Sequence, residues 1–204
     1  FLHINPEVLR QPSSMLAQPF IDSDGSNLPT ALARMQSEDP FILNDVSRDL
    51  ANLIPGVLKV DVEEDRSRDQ YLVRIQTQDG CFFSSRVLSD GTLRALALVS
   101  LKNDPEHRGV LCFEEPENGV HPFRIKNLVV VLKELSTDFS DPEQTDEPLR
   151  QLLVNTHSPV LVAQKEEVWP NISFAYMTTR VPAGQPHRIT RIIPVESSFQ
   201  TKLD

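Results

Sequence analysis

Two adjacent glutamates follow a short apolar run near the middle of the chain. Glu114 and Glu115 come directly after Gly109–Phe113, whose composition predicts a short buried strand. Carboxylates at the end of a buried strand are costly to desolvate unless a cation meets them. A hydrated Mg²⁺ held by one carboxylate, with the other activating a water molecule, would satisfy both groups. The alternative is that both carboxylates simply face solvent.

A second motif combines a hydroxyl, an acid and a glycine at the predicted start of a helix. Ser89, Asp90, Gly91 and Thr92 open the helical pattern that extends to Leu101. Ser89 or Asp90 can cap this helix, and Gly91 allows backbone amides to approach a ligand closely. The N-terminal end of a helix attracts anions such as phosphate. Taken alone, the motif favours an ordinary N-cap over an anion site.

A third motif places a histidine just beyond another apolar run. His157 follows Gln151–Val154, which predicts a second buried strand. The imidazole could sense or orient an anionic group, and a purely structural histidine is the alternative. Because ligands bind at the carboxyl ends of the strands in an open parallel sheet, we expect all three motifs at one edge.

The elements that position these motifs change character along the chain. Residues 1–26, with three prolines at near-regular intervals, predict an irregular or extended arm. Ser26 or Asn27 as a cap, with Pro29 in the first turn, then predicts a short helix, and apolar spacing of three to four predicts a second helix from residue 39 that ends before Gly56. Period-two alternation predicts antiparallel strands over 57–87. From Leu88 onwards, apolar strands alternate with helices, which indicates a parallel sheet covered on both faces. The predicted fold class is therefore α/β, a parallel sheet flanked by helices beside an antiparallel β-hairpin region and short helices.

These changes predict four regions. They are an N-terminal arm with two short helices (1–56), antiparallel strands (57–87), the core that carries the three motifs (88–195) and a tail (196–204).

Composition limits the classes of function. The net charge of −9 and the sequence pI near 5.0 argue against a wholly nucleic-acid-binding surface, which would be basic. Six of the acids lie between Glu134 and Arg150, where they predict a solvated loop. No apolar run approaches a membrane span of about 20 residues. Cys81 and Cys112 stand in apolar runs and predict buried thiols of a reducing compartment, so the expected location is the cytoplasm.

In their order along the chain, the three motifs resemble the C-terminal half of an ABC-type ATPase domain. The resemblance is to the RecF-like and SMC-like branch of P-loop ATPases, which includes bacterial AAA-type ATPases and the overcoming-lysogenization-defect proteins. It covers about residues 20–195, with specific motifs between Leu88 and Pro159. The resemblance implies ATP and Mg²⁺ as cofactors and a homodimer that holds two Mg·ATP between its subunits.

Leu88–Thr92 resembles the signature motif of this family. In the family it contacts the γ-phosphate bound by the opposite subunit. The resemblance assigns this contact to Ser89 and Gly91, with Asp90 and Thr92 beside them. Asp90 departs from the commoner glycine, as is familiar in the RecF-like branch.

The remaining motifs resemble the parts that handle Mg²⁺ and water. Glu114 matches the Walker B acid that helps to hold Mg²⁺, in place of the commoner aspartate. Glu115 matches the general base, and His157 matches the switch histidine at the γ-phosphate. Asn118–His121 matches the D-loop at the dimer interface, so Asn118 is a candidate cofactor-binding residue, and His121 stands where many transporters have an aspartate.

One motif of the family is missing from the sequence. None of the seven glycines is followed by lysine, so the chain contains no Walker A motif. Without that loop nothing cradles the β-phosphate, and the chain alone is expected to be inactive. We expect the phosphate loop and its strand upstream of Phe1.

The implied function is an ATP-hydrolysing domain in DNA repair or anti-phage defence. A different class of function is a nucleotide-gated or nucleotide-free scaffold that binds DNA or a partner effector protein. A metal-dependent hydrolase that uses Glu114, Glu115, His121 and His157 directly is a third hypothesis, although these residues lack compact ligand spacing.

Overall fold

The computed structural model describes residues 4–18, 20–138, 149–164, 172–180 and 187–195. The predicted tail and most of the predicted acidic loop therefore lie outside the described residues. The chain divides into two units, Phe1–Ser158 and Pro159–Asp204. The four regions predicted from the sequence stay predictions.

The first unit contains six strands and five α-helices within its described residues. In chain order these are α1 (Pro6–Leu9), β1 (Ser13–Ser14), α2 (Leu28–Glu38), α3 (Ile42–Leu53), β2 (Val57–Asp65), β3 (Gln70–Thr77), β4 (Phe82–Ser84), α4 (Asp90–Asn103), β5 (Gly109–Glu114), α5 (Ile125–Glu134) and β6 (Arg150–Asn155). Single turns of 3-10 helix cover Ser85–Val87 and Pro122–Arg124.

An antiparallel sheet forms around β3, as the period-two pattern predicts. β2 pairs with β3 from Val57 opposite Thr77 to Asp65 opposite Gln70, and β1 and β4 also pair with β3. The alternating residues Val60, Val73 and Ile75 are buried, and α3 packs against β2. The sheet thus covers one side of the helical core.

The beginning of the chain is more regular than the predicted extended arm. Asn5 caps α1 by accepting a hydrogen bond from the amide of Glu7 at 3.0 Å. Pro6 stands in the first turn, where a backbone amide would have no partner within the helix, so its missing N–H is not needed. β1 then pairs with the start of β3. The predicted strand up to Val87 is also shorter, because Ser84 caps the following 3-10 turn.

The central element of the first unit is α4. It is buried around most of its circumference, as expected of a helix with apolar residues on all faces. Lys102 near its end joins α3 and α5, since its Nζ lies 2.7 Å from Asp49 Oδ2 and 2.7 Å from Glu134 Oε2. Three helices are therefore tied together by one ammonium group.

β5 and β6 form a parallel pair, which confirms the predicted α/β class with a small parallel sheet. Leu111 and Phe113 are buried on one face. On the opposite face Val110 is 50% exposed and Leu153 is 62% exposed. The prediction that both faces are covered is therefore wrong for the part of the chain that the structure describes.

A single arginine fixes the start of β6. The guanidinium of Arg150 donates to the backbone carbonyls of His107 at 2.9 Å, Asp104 at 2.9 Å and Lys102 at 3.3 Å. These carbonyls lie at the end of α4 and in the loop before β5. Because both strands start from this anchor, their register is set at the end opposite to Glu114.

The second unit contains α6 (Pro159–Val162), β7 (Ser173–Arg180) and β8 (His187–Pro194). β7 and β8 pair antiparallel from Ser173 opposite Pro194 to Arg180 opposite His187. Both strands correspond to apolar runs, Ile172–Met177 and Arg188–Val195, that predict strands.

The two thiols are less buried than the sequence predicts. Cys81 is exposed, because it lies in the turn after Gly80 and not inside a strand, and Cys112 is half-buried in β5. No described helix combines the length and the apolar character needed to cross a bilayer.

Candidate active site

The register of β5 and β6 brings two of the three predicted motifs to one edge of the sheet. Glu114 at the end of β5 lies opposite Asn155 at the end of β6. The amide of Glu115 then donates to the carbonyl of Asn155 at 2.8 Å, which extends the pairing by one residue. His157 leaves β6 two residues further on, and its side chain is exposed.

Glu115 begins a tight turn in an unusual backbone conformation. Its φ of +46° lies in the left-handed region, which is unfavourable for a residue with a long side chain. The side-chain amide of Asn118 donates to Glu115 Oε2 at 2.6 Å, and the backbone amide of Asn118 donates to the carbonyl of Glu115 at 3.0 Å. The turn thus holds one carboxylate oxygen in place. The structure therefore places Asn118, a predicted cofactor-binding residue, in contact with the predicted general base.

Glu117, in the middle of this turn, connects it to the loop after β6. Its Oε1 accepts a short hydrogen bond from the hydroxyl of Thr156. The amide of Ser158 donates to the same Thr156 oxygen at 3.0 Å. Neither Glu117 nor Thr156 has a predicted role. The only sequence signal was a third acid two residues after Glu115, and its partner lies 39 residues away.

Three carboxylates therefore lie within four consecutive positions. Glu114 is exposed, whereas Glu115 and Glu117 are half-buried. None of them forms an ion pair with a basic residue in the described parts of the chain. Oxygen donors beside open solvent suit Mg²⁺, which keeps several water ligands and needs few from protein. The residues present at this edge fit such an ion, with Glu114 as the accessible carboxylate.

The start of α4 is built as an N-cap. Ser89 Oγ accepts from the amide of Thr92 at 3.2 Å and shares a 2.8 Å hydrogen bond with the Thr92 hydroxyl. The ordinary capping role that the sequence favours is therefore present. Both side chains remain at the open end of the helix, where Ser89 is exposed and Thr92 is half-buried.

The second motif, at the start of α4, meets the other two through a contact between two glycines. A Cβ built on Gly91 would lie 2.4 Å from the Cα of Gly119, and one on Gly119, whose φ is +87°, would lie 2.2 Å from the Cα of Gly91. Neither position has room for a side chain. The start of α4 is thus packed directly against the turn that begins at Glu115, and all three predicted motifs meet at this edge.

Asp90 has a partner that the sequence did not predict. Arg10 donates from Nη2 to Asp90 Oδ1 at 2.6 Å and to the carbonyl of Leu88 at 2.9 Å. Ser85 Oγ in turn donates to the carbonyl of Arg10 at 3.2 Å. The end of α1 therefore holds the loop that precedes α4, across about 80 residues of sequence.

His121 has a structural role in the described chain. Its Nδ1 accepts from the amide of Phe123 at 3.4 Å, and its ring stacks on Phe123 with 5.4 Å between centroids. Phe123 itself is 90% exposed. Within the described residues no three histidine, cysteine or acidic side chains form a group able to hold a metal by themselves.

Several solved structures are similar to this chain at low identity. One is a structure described under "Structural biochemistry of ATP-driven dimerization and DNA stimulated activation of SMC ATPases", with 14% identity and a TM-score of 0.45. The match covers 78% of this chain and 88% of that chain. The Smc head domain with a coiled coil and joint from Pyrococcus yayanosii has 11% identity and a TM-score of 0.49, covering 89% and 31%. The Smc head domain with an extended coiled coil, bound to the C-terminal domain of ScpA, from Pyrococcus furiosus has 11% identity and a TM-score of 0.48, covering 89% and 43%. The chain thus spans less than half of either Pyrococcus chain.

No curated protein matches this chain. A family model does match residues 22–163, a range that contains all three motifs and more than half of the chain. The family is described as "AAA domain, putative AbiEii toxin, Type IV TA system". This match confirms the resemblance to AAA-type ATPases. The chain belongs to this AAA domain family and is an AAA-type ATPase domain.

Proposed function

We propose that the chain is the C-terminal part of an ATP-hydrolysing domain of the ABC and RecF-like type. Two copies form a homodimer that encloses two Mg·ATP, and each copy offers its signature motif to the nucleotide of the other. The observation that carries the proposal is the turn from Glu115 to Gly119. It contacts the start of α4 through Gly91 and the loop after β6 through Thr156.

Glu115 is the proposed general base. Its strained backbone and the hydrogen bond from Asn118 fix the direction of the carboxylate before any ligand binds. A residue in a sparsely populated conformation persists where the surrounding structure enforces it, and such residues cluster at active sites. Orientation or deprotonation of the attacking water by Glu115 is expected to contribute about 10²–10⁴ in rate.

Glu114 would hold Mg²⁺, and His157 and Ser89 would approach phosphate. When bound, the ion neutralises charge on the β- and γ-phosphates. Ser89 and Gly91 stand at the N-terminus of α4, where a hydroxyl and backbone amides suit an anion. The ion pair with Arg10 reduces the repulsion that Asp90 would exert on a phosphate.

The open face of the small parallel sheet supports a position in the C-terminal part of a larger domain. Val110 and Leu153 are exposed there, although apolar residues on a parallel strand are normally covered. Among the described residues, β6 pairs only with β5. A further strand that carries the Walker A motif, with its helix, would cover this edge and face.

The biological role that we propose is anti-phage defence or DNA repair in the cytoplasm, with DNA or an effector protein as a further partner. The resemblance to the RecF-like branch, whose ATPases act in both processes, together with the match to the AAA domain family, supports this proposal. The alternative of a nucleotide-free scaffold is favoured by the missing Walker A motif.

The test replaces Glu115 in the complete gene product. Glu115→Gln is expected to bind ATP, to lose hydrolysis by at least a hundredfold and to accumulate as a dimer in light scattering, because the sandwich no longer opens by turnover. Glu64→Gln, an exposed glutamate of β2, controls for the loss of a carboxylate elsewhere. Unchanged hydrolysis in Glu115→Gln would remove its proposed role. Absence of ATP binding in every variant would favour the scaffold.

A further inference from the structure

We propose that Glu117 is a positioning residue that couples the loop of His157 to the general base through its hydrogen bond with Thr156. The inference rests on the proposed ATPase function. None of the roles assigned by family resemblance falls on Glu117 or Thr156. The observations that carry it are the contacts of the two side chains and the place of each in its loop.

The Glu117 carboxylate is committed to this contact. Oε1 accepts from the Thr156 hydroxyl, and Oε2 is buried without a hydrogen-bond partner among the described residues. An unpaired buried carboxylate oxygen is unfavourable, so stability alone does not explain a glutamate here. A carboxylate held in spite of this cost points to a role of the contact in function.

Thr156 fixes the backbone on both sides of His157. Its hydroxyl oxygen accepts from the amide of Ser158 at 3.0 Å while its proton is donated to Glu117. His157 lies between these two residues, so its backbone is held within a closed hydrogen-bonded turn. A shift of the His157 loop would therefore pull on Glu117.

Glu117 stands between two other contacts of the same short turn. Asn118 holds the Glu115 carboxylate, and Gly119 packs against Gly91 without room for a side chain. A turn constrained at three points transmits displacement instead of absorbing it. The presence of phosphate at His157 would thus set the position of Glu115 and of the start of α4 through one hydrogen bond.

The test compares Thr156→Val, Thr156→Ser and wild type in the complete gene product. Valine keeps the shape and removes the hydroxyl, so kcat for ATP is expected to fall at least tenfold while KM stays within twofold. Serine keeps the hydroxyl and is expected to restore kcat to within threefold of wild type. Thr77→Val is the matched control, because Thr77 also donates to a carboxylate, Asp79, in the turn between β3 and β4.

Glu117→Gln keeps an acceptor oxygen for Thr156 at nearly the same volume and is expected to retain at least a third of the wild-type kcat. Glu117→Met removes the acceptor and is expected to match Thr156→Val, and the double variant is expected to be no slower than either. Wild-type kcat in Thr156→Val, no rescue by serine, or additive losses in the double variant would overturn the coupling. No hydrolysis by wild type would overturn the proposed function itself, which separates the two failures.

Discussion

The neighbours of Glu115, the proposed general base, fix its position in the turn after β5. Its backbone stands in the left-handed region, its amide extends the pairing of β5 with β6, and its carboxylate accepts from Asn118 at 2.6 Å. These contacts restrict both the backbone and the side chain of Glu115. Preorganisation of this kind lowers the cost of reaching the reactive geometry.

His107 gives the first prediction at the residue scale. Burial lowers the pKa of His107, and the nearby charge of Arg150 lowers it further, against a smaller opposite effect of Asp104. The folded state therefore disfavours the protonated ring, whereas the unfolded chain protonates near pH 6.5. Stability from the neutral ring is present above that pH and is lost as the pH falls through it.

We expect the free energy of unfolding to fall between pH 7.5 and pH 5.5, and part of this fall to disappear in His107→Gln. Urea denaturation at a series of pH values measures it. His121→Gln, which replaces an exposed histidine, controls for the loss of a histidine in general. An identical pH dependence in His107→Gln and wild type would contradict the assignment.

The residue types of the candidate site can be read from the sequence, but the contacts between them cannot. Glu114, Glu115 and His157 were predicted because each follows an apolar run, which is a local signal. Arg10 and Thr156 were not, since their partners lie 80 and 39 residues away in sequence. A side-chain hydrogen bond across such a distance leaves no periodic trace in a single sequence.

At the scale of elements, the contact between Gly91 and Gly119 joins the start of α4 to the turn after β5. Gly119→Ala is expected to cost more than about 3 kcal/mol of unfolding free energy, because the new Cβ overlaps the Gly91 backbone in addition to the backbone strain. Gly80 has a φ of +84° and open space around its Cβ position, so Gly80→Ala is expected to lower the free energy of unfolding by about 1 kcal/mol through backbone strain alone. Chemical denaturation compares the two, and equal costs would contradict the close packing.

The ion pairs of Lys102, which join α3, α4 and α5, give a second prediction at this scale. Lys102→Met leaves the carboxylate of Asp49, which is buried, with Asn103 and the exposed Arg48 as partners, and is expected to cost about 3 kcal/mol. Arg48→Met removes an exposed contact with the same carboxylate and is expected to cost less than about 1 kcal/mol. Thermal or urea unfolding measures the loss of stability in both variants. A Lys102 variant as stable as the Arg48 variant would show that the ion pairs of Lys102 contribute little.

Sequence periodicity located most elements, because apolar spacing is set by the face that each element buries. The second of the two short helices predicted before Gly56 corresponds to α3, and the predicted strand Gly109–Phe113 corresponds to β5 within one residue. The two-residue strand β1 was missed, since its only determinant is pairing with β3. The exposed face of β5 and β6 was also missed, because apolar composition does not record which elements surround a strand.

At the scale of the whole molecule, we propose that each reactive site is shared between two copies of the chain. Ser89 and Glu115 belong to one edge of one copy, but the proposed dimer uses the signature of one subunit with the base of the other. A variant of the signature motif and a variant of the general base therefore remove different halves of a composite site. Closed symmetry of a homodimer makes both sites equivalent in the wild type.

The most direct test mixes two inactive variants of the complete gene product, Ser89→Arg and Glu115→Gln, before ATP is added. Random exchange gives heterodimers in which one of the two sites combines an intact signature with an intact base, so the mixture is expected to recover about a quarter of wild-type hydrolysis. Each variant alone is expected to remain inactive. A mixture as inactive as its components, although light scattering shows that ATP-bound dimers form, would contradict the shared site.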